Sequence, residues 1–179
     1  IENWNEDTTT YVAWNWLAGG APTDTNIATT GVMTSGSVFQ DGVSNTSFTP
    51  GSTIYPNKIS ANTSSGFSIA TWTGTGVAAT IAHGLSEAPE LVIAKSTTKA
   101  STNWAVGVLA GSANFTDFLI LNSDAAIADD PIWNDLDPTA SLFSIGTDGS
   151  VNTSTEEYIA YCFHSVEGYS KIGEYRGNS

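Results

Sequence analysis

Basic residues are the scarcest class in this chain: Lys and Arg number 5 among 179 residues against 18 Asp and Glu, a net charge of −13. Without a basic face, bulk electrostatics exclude nucleic-acid binding and adhesion to anionic membrane. Charged residues of both signs reach only 13%, roughly half the usual share of a soluble domain. Cysteine occurs once, at Cys162. No internal disulfide can brace the fold, so packing and hydrogen bonds must, as in a protein made in a reducing cytosol. No apolar run approaches the ~18 residues of a membrane helix. The opening Ile1-Glu2-Asn3-Trp4 carries neither a Met start nor the basic and apolar regions of a signal peptide. The chain therefore reads as soluble, without membrane insertion, and its start as that of a mature or excised fragment.

What is present favours strands. Ser (21) and Thr (24) make up a quarter of the chain, and these hydroxyls, with Asn and Gly, replace the missing charges. Thr, Ser, Gly, Asn and Val are poor helix formers, while Leu, Glu, Lys and Arg are few, so the expected class is all-β.

Seven strand signals follow one another at short spacing: Phe67 to Thr73, Ala78 to Ala82, Leu91 to Ala94, Trp104 to Leu109, Phe115 to Leu121, Leu142 to Ile145 and Tyr158 to Phe163. Seven strands in about 100 residues fit two packed antiparallel sheets. The first two, separated by Gly74-Thr75-Gly76, are expected to pair as a hairpin. Residues 18–60 are the least periodic part, with turn signals at Gly19-Gly20, Asp41-Gly42, Pro50-Gly51 and Pro56-Asn57; loops and short strands are expected there.

An internal echo sets the expected organisation. Tyr11-Val12-Ala13-Trp14-Asn15-Trp16 reappears as Tyr158-Ile159-Ala160-Tyr161-Cys162-Phe163, and Gly66-Phe67-Ser68-Ile69 as Gly168-Tyr169-Ser170, then Ile172 after an inserted Lys171. The chain is read as opening on the last strand of one unit and closing on the first strand of the next, in a tandem array. Residues 1–20 then hold a strand of a preceding or shared unit, 21–65 a connecting segment or small insertion, 66–165 the main sandwich, and 166–179 the start of a following unit.

Signals for chemistry are sparse. Asp129, Asp130, Asp135 and Asp137 crowd one loop, as oxygen ligands for calcium would, but without the central Gly and distal Glu of an EF-hand; a solvated loop anchored by Trp133 is the plainer reading. His83 and His164 lie far apart with no nucleophile motif around them. His83 falls where a strand enters a turn, and its imidazole is expected to bond to backbone. The adjacent carboxylates of Glu156-Glu157 and Asp129-Asp130 point to opposite faces of a strand, so neither supplies a glycosidase pair. Cys162 is expected to be buried as a small apolar group. Trp72, Trp104 and Trp133 are candidate platforms for stacking a sugar, against a core role that suits strand ends equally well. No catalytic residue and no cofactor is expected.

The motifs Tyr11-Val12-Ala13-Trp14-Asn15-Trp16-Leu17-Ala18-Gly19-Gly20, Thr73-Gly74-Thr75-Gly76, His83-Gly84-Leu85, Ala88-Pro89-Glu90-Leu91-Val92-Ile93-Ala94-Lys95, Asn103-Trp104-Ala105-Val106 and Phe143-Ser144-Ile145-Gly146 resemble, in combination, a β-rich domain of large virion proteins of marine tailed bacteriophages. The resemblance continues through Tyr158-Ile159-Ala160-Tyr161-Cys162-Phe163 to Glu167-Gly168-Tyr169-Ser170-Lys171-Ile172-Gly173 and is weakest over residues 21–59. It implies a tandem structural module of a tail fibre or similar appendage, often beside lectin-like jelly-roll domains, at the virion surface, with a part in host-surface attachment.

The expected fold is thus an all-β, antiparallel, jelly-roll-like β-sandwich, one unit of an array with partial neighbours at both ends. The expected function is a non-enzymatic structural module of a phage virion, assembled in the host cytoplasm. Its partners are further copies of the chain, a homotrimer among the options, other virion proteins and a host-surface glycan. Two alternatives stand beside it: a carbohydrate-binding module, and a subunit of an extracellular filament joined by strand complementation.

Overall fold

The computed structural model describes residues 10, 13 and 15–175. Of the ribbon predicted over residues 11–16, Tyr11, Val12 and Trp14 lie outside the described residues; Ala13, Asn15 and Trp16 belong to no strand.

The chain is all-β, with eleven strands and no α-helix among the described residues. They are β1 (Val38–Gln40), β2 (Val43–Ser44), β3 (Lys58–Asn62), β4 (Phe67–Thr73), β5 (Ala79–Ala82), β6 (Leu91–Ser96), β7 (Ala105–Val108), β8 (Asp117–Ile120), β9 (Ala128–Asp129), β10 (Leu142–Ile145) and β11 (Glu157–Phe163). Nine form one sheet in the order β2-β1-β3-β4-β11-β6-β7-β8-β9, and β5 with β10 forms a second. The architecture is sandwich-like, a broad sheet carrying a small two-stranded one on its inner face. Pairing is antiparallel throughout except between β1 and β3, which run parallel. At its flanks the broad sheet ends in strands of two residues, β2 and β9.

All seven predicted strands are present, within a few residues. The segment read as a connector contributes three more, so the sheet begins before Gly66, and Met33, Val38, Ile54 and Ile59 of that segment sit in the main core. The expected hairpin does not form. β4 pairs with β3 and β11, whereas β5 pairs with β10 in the other layer. The reason is the turn between them: Gly74 packs so closely on the Thr153 carbonyl that a Cβ would lie 2.2 Å from its oxygen, and the chain leaves the broad sheet there.

The core fills the space between the layers. Alternation along β4 and β11 directs Ser68, Ala70, Trp72, Tyr158, Ala160 and Cys162 inward. Trp72 stacks on its cross-strand partner Tyr158 at 5.4 Å and meets Phe143 of β10 edge-on at 5.8 Å. Both large side chains also hold the loop before β11. Trp72 Nε1 donates to Val151 O, and Tyr158 Oη donates to Gly149 O while accepting from the Thr153 N–H. In the same loop, buried Asn152 uses its whole amide. Nδ2 donates to Val77 O and Gly146 O, both at 2.8 Å, and Oδ1 accepts from the Thr75 and Gly76 N–H groups at 2.8 and 3.3 Å.

Candidate functional site

The alternation that fills the core also makes one half of the opposite face of the broad sheet largely apolar, while the row of Lys58, Thr71, Ile159 and Lys95 keeps the other half polar. Register places Ser60, Ile69, Tyr161, Ile93, Val106 and Leu119 in one row across six strands. Asn62, Phe67, Phe163, Leu91 and Val108 form the row beside it. Phe67 and Phe163 contact each other at 4.8 Å, and Trp104 lies nearly parallel to Tyr161 at 6.4 Å.

Two flanking segments lie against this face. The one leading into the sheet is fixed by Ser65 Oγ donating to Leu17 O at 2.9 Å and by the Gly42 N–H donating to Gly19 O at 2.8 Å. It sets Trp16 against Phe163 edge-on at 5.5 Å and against Phe67 at 6.1 Å. The outgoing segment turns back after β11 through a Val166–Ser170 bridge and brings the Ile172 N–H onto Ser165 Oγ. Between them and the sheet is a partly open cavity of about 510 Å³, with Trp16, Leu91, Ile93, Phe163, Tyr169 and Ile172 as its apolar lining. Asn15, Ser65, His164, Ser170 and Lys171 supply polar groups to it, and among the described residues no carboxylate lines it.

The residues singled out in the sequence are scattered. Trp72 and Trp133 are fully buried core side chains and cannot present a face to a sugar. Trp104 is half-buried on the outer face. Asp129, Asp130, Asp135 and Asp137 do not converge: Asp129 pairs along β9 with Asp117, and Asp137 accepts the Phe115 N–H at 3.1 Å. Among the described residues no three His, Cys, Asp or Glu side chains gather as a metal site would require. His83 is buried, accepts the Leu85 N–H on Nδ1 and bonds Thr139 O through Nε2, which fixes it as a neutral donor there. Burial holds its pKa down at about 4. His164 bonds Ser165 O through Nδ1, while Nε2 is buried without a partner. Cys162 is fully buried opposite Ser68, and desolvation pushes its thiol up to about 12, far from a reactive thiolate.

Trp16 and Lys171 escaped the sequence reading as site residues. The available signal was that Phe67, Phe163 and Tyr161 alternate with a second apolar set on the same strands, which marks a sheet with two greasy faces, one of them in need of a cover.

The DUF7483 family, described as a domain of unknown function, matches residues 36–179. The chain belongs to the DUF7483 family. The DUF7483 match opens two residues before β1, so the family's domain includes the whole broad sheet. No curated protein and no solved structure matches the chain.

Proposed function

We propose that this DUF7483 domain is a non-enzymatic structural module at the surface of a bacteriophage virion, part of a tail fibre or similar appendage built of repeated units, and that it contributes to host-surface attachment. The observation that carries the reading is the outer face: two largely apolar rows with Phe67, Tyr161 and Phe163 at their centre lie on it, and the segments flanking the sheet lie side by side across them. That is the arrangement of a module whose neighbours in a chain, or further copies of it, complete one shared surface. Several other features support it. An acidic, hydroxyl-rich surface stays soluble at the ionic strength of seawater, where ion pairs are screened. His83 has both ring nitrogens engaged in structural bonds, and the motifs read as resembling marine phage virion proteins include the strands β6 and β11.

The test is location. Purified particles of the phage that encodes the chain are digested for peptide mass spectrometry and decorated with an antibody to the domain. Peptides from intact particles and label on an external appendage are the expected result. A protein confined to the soluble lysate, or to the particle interior, overturns the proposal.

A further inference from the structure

We propose that the cavity beneath Trp16 binds an acidic saccharide, a pyranose bearing a carboxylate. This gives a ligand class to the attachment role above, but it does not depend on the virion placement, and the two tests fail separately.

Trp16 carries the argument. It is 52% exposed, yet Phe163 and Phe67, themselves in contact at 4.8 Å, back its ring from the sheet side, so the indole is propped at the cavity wall rather than collapsed into the core. An oriented, half-open indole packs on the C–H face of a sugar ring, where its apolar body is covered without the loss of many rotamers. The cavity, at about 510 Å³, is of the size that takes small ligands and has space for a sugar ring with its substituents. Asn15, Ser65 and Ser170 offer both donors and acceptors, as hydroxyl groups require. The Ser65 hydroxyl already donates to Leu17 O, so toward a ligand it can act only as an acceptor.

Charge selects the acidic member of the class. The chain holds 18 carboxylates and 5 cationic side chains, but among the described residues this lining contains Lys171 and no carboxylate. Lys171 is exposed and makes no hydrogen bond to another described residue. A neutral sugar offers that ammonium only hydroxyl acceptors, without a charge to pair with it. A uronate carboxylate beside the ring that stacks on Trp16 supplies that charge, and the lining brings no repulsion of its own.

The experiment titrates the 179-residue chain with tetramers of galacturonate, glucuronate and N-acetylneuraminate. The galacturonate tetramer with its carboxyls reduced to neutral galactose and an acidic Glu/Gly peptide serve as controls. Binding is read by calorimetry and by the amide and indole resonances of Trp16. The expected result is saturable binding of at least one acidic tetramer, weakened about tenfold or more by Lys171→Gln, by Trp16→Ala and by removal of the carboxyls. Because Trp16→Ala exposes Phe163 and Phe67, Lys171→Gln and Tyr169→Ala, both at exposed positions, keep the test valid if that variant misfolds. The proposal is overturned if no acidic tetramer saturates the chain at millimolar concentration. It is equally overturned if Lys171→Gln leaves affinity unchanged, or if the acidic peptide binds as tightly as the best saccharide.

Discussion

Asn152 is the side chain whose loss should be felt most for its size. Asn152→Ala deletes no apolar contact of consequence but removes the partners of the Gly146 carbonyl and of the Thr75 N–H. Val77 O keeps the Thr75 hydroxyl as a donor, and the Gly76 N–H keeps its bond to the backbone carbonyl of residue 152, so both are left out of the sum. At about 1 kcal/mol for each group stranded out of water, the substitution should cost about 2 kcal/mol, or roughly 4–8 °C in melting temperature for a chain of this length. Urea denaturation followed by tryptophan emission is the assay, because Trp72 bonds Val151 O next door and reports on the same loop. Asn152→Asp sharpens the test. It replaces the donating amide by an acceptor facing two carbonyl oxygens, so at neutral pH it should be worse than Ala, and it should regain stability as the carboxyl protonates. If Asn152→Ala falls within about 0.5 kcal/mol of the parent, or Asp equals Asn at pH 7, the reasoning fails.

His83 predicts an acid limb. Its folded pKa is held at about 4 against an ordinary 6.5, so the unfolded chain takes up the proton first. The associated stability is whole above pH 6.5 and drains away as pH falls to about 4, a loss of roughly 3 kcal/mol. The difference between parent and His83→Gln in urea midpoint should shrink over that window. Gly107→Ala should destabilise by about 1–3 kcal/mol and shift Trp133 emission, since the new methyl would lie 2.4 Å from the Phe115 ring and 2.8 Å from Trp133 Nε1; an unchanged melting curve would contradict the packing. Cys162, with its thiol up at about 12 and fully buried, should ignore a disulfide reagent in the native chain and react at once in urea, as a thiol-release assay would show.

Much of the fold was legible because the strands from Phe67 to Phe163 alternate in side-chain character and end at turn residues, and seven of them stand where that alternation places them. The short strands expected within residues 18–60 could not be placed from the sequence. β1 and β2 have three and two residues, too few to show a period. β3 reads Lys-Ile-Ser-Ala-Asn, and it exists because the backbone of β4 offers it an edge. The Gly74-Thr75-Gly76 turn announced a reversal without saying into which layer, and the hairpin reading went wrong there. The aromatic platforms were misplaced because both faces of β4 and β11 are apolar. Alternation separates Trp72 from Phe67 and Ile69 but does not tell which set meets water; that is decided by Phe143 and Trp133 arriving from elsewhere in the chain. Asn152 carried no local signal, because its bonds reach residues about 75 positions away.

The brevity of β2 and β9 has a consequence for life in a crowd. A wide sheet with long free margins would recruit margins from identical copies held beside it, and a repetitive appendage supplies such copies at very high local density. With two residues on either flank, and Asp129 on one of them, there is little for a stranger's backbone to zip onto. In the appendage proposed above, copies could then be lined up closely without fusing laterally, because neither margin offers a backbone long enough for main-chain pairing.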